Sequence, residues 1–152
     1  MKKLIFIFLS LFMMFTACAE PKNSGANKME QKIYITINGI TKTATLENNS
    51  SVKALLEKLK ACDITISARD YGGFEKVGEL GFSLPSNDKQ MTSQSGDIFL
   101  YASSSLVFFY GSNSWSYTKI ATFDGMTKSE VKEFLQGGKG NVEIVLSIKT
   151  DD

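Results

Sequence analysis

From Lys32 onward, apolar and polar residues alternate. Ile33, Ile35 and Ile37 are spaced by Tyr34 and Thr36, the period-two pattern of a strand with one buried face. Asn38-Gly39 comes next, a strong hairpin signal, and residues 41–46 read as the returning strand. Residues 64–68 alternate again, and residues 97–102 and 106–110 are rich in aromatic and β-branched side chains around a serine-rich turn. Residues 117–123 and 142–148 complete the set, with a weaker run at 74–80. About eight short strands at this spacing predict a sandwich or a barrel.

Two stretches change period. Val52, Leu55, Leu56 and Leu59 fall at helical spacing, with Ser50 or Ser51 as the expected cap. Thr127-Lys128-Ser129-Glu130 forms a capping box ahead of Val131, Phe134 and Leu135, and Gly137 is the expected stop. Each helix carries one apolar stripe, so each is expected to cover one open end of a closed sheet.

The start of the chain follows a different rule. Lys2 and Lys3 precede an apolar run from Leu4 to Ala17, the layout of an export signal. The run has 14 residues, short of the roughly 20 that a spanning helix needs. Phe15-Thr16-Ala17-Cys18 resembles a lipobox, with Phe15 where an aliphatic residue is usual. The expectation is a signal peptide over 1–17 and an acylated Cys18, held in the membrane by chains worth about 0.8 kcal/mol per buried methylene. Residues 18–31 then form a lipidated, polar tether, and residues 32–152 one domain with one core. This predicts a protein of the cell envelope, lipid-anchored and extracytoplasmic, on the periplasmic face or the outer surface.

Composition removes several classes of function. The chain has 17 basic and 16 acidic side chains, and losing Lys2 and Lys3 with the signal leaves 15 basic ones. Nothing suggests nucleic-acid binding, which needs a basic patch. There is no histidine, which removes histidine-dependent catalysis and histidine-ligated metals. Once Cys18 is spent on lipid, Cys62 is the one remaining thiol. It follows the apolar period of the first helix and is expected to be buried and inert. No metal or cofactor is expected.

Three groups of side chains remain as candidate chemistry. Arg69 is the only arginine and reads either as a structural ion-pair partner or as a ligand clamp. Asp70, Glu75 and Glu79 match no calcium loop. The structural reading has Asp70 accepting backbone N–H bonds in the turn and Glu75 pairing with Arg69 or Lys76. Gly137-Gly138-Lys139-Gly140 follows a helix rather than preceding one, so it is no phosphate loop. The aromatic residues are the richest feature. Phe108 and Tyr110 must face one side of their strand and Phe109 the other. One set fills the barrel, and the other lies outside it in packing or in a groove.

Taken together, these segments resemble the bacterial cyclophilin-like fold proteins. The resemblance is carried by the opening 33–46 hairpin and the Leu55, Leu56 and Leu59 helix, followed by Asp70-Tyr71 with Glu75-Lys76. Leu84-Pro85 and the strand pair Gly96 to Tyr101 and Leu106 to Gly111 extend it across the domain. It implies a mainly β fold, a closed antiparallel barrel of about eight strands with two short capping helices. The family's usual proline and tryptophan after the tyrosine at position 101 are replaced by Ala102-Ser103-Ser104-Ser105. True cyclophilins isomerise prolyl bonds with an arginine, a histidine and aromatic residues, and Arg69 cannot be placed on that arginine. The expected function is a non-catalytic module that binds a peptide or a small ligand. The alternatives are a prolyl isomerase with a divergent site, or an accessory domain to a flavin or redox partner. The expected ligand residues are Arg69, Tyr71, Glu75, Tyr101 and Tyr110, and the oligomeric state is left open.

Overall fold

The structure is a computed structural model that describes residues 31–148. The expected signal segment, Cys18 and the expected tether up to residue 30 lie outside the described residues, whereas the tether's last residue, Gln31, accepts the Leu46 amide at 2.8 Å through its carbonyl. Nine strands and two helices run in the order β1 (Lys32–Ile37), β2 (Ile40–Leu46), α1 (Ser50–Ala61), β3 (Ile64–Tyr71), β4 (Glu75–Glu79), β5 (Lys89–Thr92), β6 (Asp97–Tyr101), β7 (Ser105–Phe109), β8 (Ser114–Phe123), α2 (Lys128–Phe134) and β9 (Val142–Ser147). Eight of them close an antiparallel barrel in the order β2-β1-β9-β3-β4-β7-β6-β8, sealed where β8 pairs with β2. The closed mainly β fold with two helices agrees with the expectation.

Alternation builds the interior. Ile33, Ile35 and Ile37 of β1 and Ile64, Ile66 and Ala68 of β3 point inward, and so do Leu106, Phe108 and Tyr110 along and just after β7. Gly78 on β4 lets β3 come close, since a Cβ there would fall 2.0 Å from Ile66 Cγ2. A register shift between Ile98 and Phe99 in the β6–β8 ladder is the mark of a bulge, and it lets both Ile120 and Ala121 reach the core.

The helices sit at opposite rims. β2 ends and β3 begins at the rim where α1 lies, whereas β8 ends and β9 begins at the other, where α2 lies. Val52, Leu55, Leu56 and Leu59 of α1, with Val131 of α2 and Leu135 just after it, join the barrel core. The N-cap of α1 is Asn49, not Ser50 or Ser51; its side chain accepts from the Val52 amide at 2.9 Å. Ser51 turns inward instead and donates to the Pro85 carbonyl. The capping box of Thr127 and Glu130 is present. The stop after α2 is Gln136 in the left-handed region (φ 52°). Gly137 serves a different need, because a Cβ there would meet the Tyr110 ring at 2.9 Å. Cys62 is exposed, contrary to expectation. It is the extended C-cap of α1, past the end of the apolar stripe.

β5 carries only Met91 as an apolar residue and was invisible to periodicity. It pairs with the first half of β8, Lys89 opposite Tyr117 and Met91 opposite Trp115. Met91 packs on a second apolar cluster of Phe99, Val107, Phe109 and Tyr117. These four side chains belong to the outer face of the barrel, so β7 is buried on both faces.

Candidate functional site

The strand registers lay out the outer face as a grid. Tyr71 lies opposite Glu75 and Glu75 opposite Phe109. In the next row Arg69 faces Val77, Val77 faces Val107, and Val107 faces Phe99. In the third, Glu79 faces Ser105 and Ser105 faces Tyr101. Side chains opposite one another in an antiparallel ladder share a face, so all of these point out of the barrel together. The β5–β8 ribbon brings Trp115 and Tyr117 against the same surface, and the resulting cavity is about 560 Å³.

Rings build its walls. Phe74 lies parallel to Phe109 at 6.3 Å and edge-on to Tyr71 at 6.4 Å. Tyr117 stacks on Phe99 at 5.1 Å and meets Tyr101 edge-on at 6.1 Å. Asn113 donates from its side-chain amide to the Tyr117 oxygen at 2.9 Å, which fixes that phenol. The mouth is aromatic too. Among the described residues the exposed large apolar side chains are Ile40, Tyr71, Tyr101 and Trp115, and all but Ile40 line this cavity.

The polar groups divide into anchored and unanchored. Glu79 is held by the hydroxyls of Ser105 at 2.6 Å and Ser104 at 3.3 Å. Arg69 lines the cavity, and its guanidinium has no ion pair or hydrogen bond among the described residues. Glu75 is 5% exposed, and its Oε2 is buried without a hydrogen-bond partner. Desolvation pushes its pKa up to about 7.

The expected pairing of Glu75 with Arg69 or Lys76 does not form, and alternation explains it. Lys76 points to the inner face, fully buried, and pairs with Asp70 at 2.9 Å. Asp70 also accepts the amides of Gly138 and Gly140, each at 2.9 Å, and the Tyr110 hydroxyl at 2.9 Å. Lys76 completes the knot by donating to the Gly140 carbonyl. Desolvation alone would raise the Asp70 pKa, but its donors outweigh it and hold the carboxyl well below the usual range. Burial, followed by the bond to Asp70, pushes Tyr110 up to about 12. Asp70 thus does accept backbone amides, but from the loop after α2 rather than from its own turn.

Of the five sequence-predicted residues, Arg69, Tyr71, Glu75 and Tyr101 line the cavity. Tyr110 does not. It shares the inner face with Phe108 and belongs to the Asp70 knot. The sequence puts Phe74 inside the candidate segment 69–75 without giving it a ligand role, and nothing in it assigns Trp115, Tyr117 or Asn113 to the site. Trp115 and Tyr117 are two residues apart, so period two alone puts them on one face, but not on this one.

The sequence model described as the cyclophilin-like family matches residues 35–147. No curated protein matches the chain. Among solved structures, that of McbB in complex with tryptophan is similar with a TM-score of 0.58 at 16% identity; the match covers 79% of this chain and 45% of that one. The solution structure of the hypothetical protein AF2241 from Archaeoglobus fulgidus is similar with a TM-score of 0.54 at 13% identity, covering 83% of this chain and 100% of that one. The present chain therefore spans less than half of McbB.

Proposed function

The chain belongs to the cyclophilin-like family, and on that footing we propose a membrane-anchored, extracytoplasmic binding module whose outer-face cavity takes a peptide or a small aromatic molecule. One observation carries the reading: the exposed Tyr71, Tyr101 and Trp115 converge on a single cavity instead of scattering. Isolated surface apolar residues need no explanation, but a cluster around a concavity with a few polar groups is the usual form of a ligand site. The volume, about 560 Å³, suits one ring-bearing molecule or a few peptide side chains. McbB, which shares the fold at low identity, was solved with tryptophan, so aromatic amino acids and peptides are the first probes. The short apolar run and Phe15-Thr16-Ala17-Cys18 support the anchoring and the location.

The sequence supplies the reporter. Trp115 is the only tryptophan and stands 55% exposed on the rim. Titration with phenylalanine-containing tripeptides, which do not absorb where indole is excited, is expected to shift and saturate its emission. Amide shifts in an NMR titration should move along β4, β6 and the start of β8. Silence in both measurements across the peptide set would remove the reading.

A further inference from the structure

The inner end of the cavity holds a carboxyl with nothing to pair with. Glu75 is 5% exposed, its Oε2 has no partner, and register sets it between Tyr71 and Phe109. Leaving a buried polar atom unpaired costs about 1–3 kcal/mol, more if it is charged. Such groups are rare in folded proteins and call for an explanation. Structural roles do not provide one here. The neighbouring Asp70 and Glu79 are each satisfied by donors of this chain, and Lys76 is committed to the inner face.

Three ligand chemistries can be weighed. An anion would meet Glu75 and Glu79 against Arg69 alone. A neutral aromatic molecule would fill the walls, and with a hydroxyl or N–H could donate to Oε2, but it would bring no counter-charge for a buried carboxylate. An organic ammonium satisfies both elements at once, because a carboxylate supplies the counter-charge and the faces of aromatic rings attract cations. We propose that this cavity selects ligands bearing a protonated amine, with Glu75 Oε2 as the ion-pair partner and the rings of Tyr71, Phe74 and Tyr117 around it. The inference rests on the cavity being a ligand site, as proposed above, and names the class of ligand.

A pH dependence follows. Without ligand, Glu75 holds its proton up to about pH 7. Below that, binding an ammonium releases one proton from Glu75 to solvent, so affinity is expected to fall about tenfold for each pH unit. Above it, affinity levels off. The titratable or charged groups that line the cavity with Glu75 are Arg69 and Tyr71 from β3, Glu79 from β4, Tyr101 from β6 and Tyr117 from β8, while β7 presents Phe109 opposite Glu75. The charge of Glu75, in turn, is a minor contributor to the raised pKa of Tyr110 on the inner face.

The test uses the chain as isolated from cells, in mild detergent, with three probes of one shape: 2-phenylethylammonium, 2-phenylethanol and 3-phenylpropanoate. Binding is followed by amide shifts and calorimetry from pH 5 to 8.5. At pH 8 the ammonium is expected to bind at least about tenfold tighter than the alcohol. The preference should fade below pH 7, and Glu75→Gln should abolish both the preference and its pH dependence while keeping weak binding of the alcohol. Equal binding of cation and alcohol, a preference for the anion, or a preference that survives in Glu75→Gln overturns the ammonium site and leaves the aromatic cavity standing. The pH profile of the unaltered chain decides the matter if the variant fails to fold. Binding by none of the three overturns the inference, and with a silent tripeptide titration the cavity reading falls as well.

Discussion

Glu75 shows what one residue costs and offers. Its folded pKa, about 7, lies above the ordinary glutamate value, so the folded state holds its proton more tightly than the unfolded state. The sign follows directly. Stability is full below the unfolded pKa, declines as pH rises through about 7, and stays lowered above it. Glu75→Gln is therefore expected to stabilise the unliganded domain at pH 8 by as much as about 3 kcal/mol and to leave it unchanged at pH 4. Urea unfolding at both values checks this. Equal midpoints for variant and parent at pH 8 would mean that Glu75 has a partner or water access. Asp70 has the opposite sign. Its depressed pKa contributes stability that is present at neutral pH and lost in acid.

At the scale of elements, closure hangs on a few contacts. β2 and β8 share three residue pairs, from Ala44–Phe123 to Leu46–Ala121. Asp124, just past β8, reinforces them: its carboxylate accepts from Thr43 at 2.7 Å, Thr45 at 2.6 Å and Lys32 at 2.7 Å. Desolvation works against the charge, yet these donors lower the pKa overall. Asp124→Ala removes bonds to a charged group and strands its donors, so a loss of about 2 kcal/mol is expected at pH 7. The difference from the parent should shrink as pH falls through the folded pKa, because the parent's carboxylate is then protonated too. Thermal melts at pH 7 and pH 3 measure both, and a variant as stable as the parent at pH 7 would show that the ladder closes the barrel alone.

For the whole molecule, the issue is where the domain is held. Cys18→Ser is expected to release the protein from membranes or to block its processing, since acyl chains supply the anchoring energy. Fractionation and intact mass read both outcomes. A mutant that remains as firmly bound as the parent, with the same mature mass, rules out lipid anchoring.

Local pattern decided the elements. Period two in 33–37 and helical period in 52–59 are written within a few residues, and hydrophobic burial acts on them wherever the chain goes next. Most strands, both helices and the capping box were therefore legible, as were Arg69, Tyr71, Glu75 and Tyr101 as neighbours on one segment or one sheet. The sequence could not show which aromatic face would be covered. β5 has a single apolar residue and becomes a strand only because β8 offers its edge. Lys76 meets Asp70 rather than Glu75 because the pleat turns adjacent residues apart, and the amides that hold Asp70 come from Gly138 and Gly140, 68 and 70 positions away. The orphaned state of Glu75 is the clearest tertiary decision. A carboxyl loses its water only when several strands bring their rings around it, and desolvation depends on everything nearby in space, whereas periodicity depends only on what is nearby in the chain.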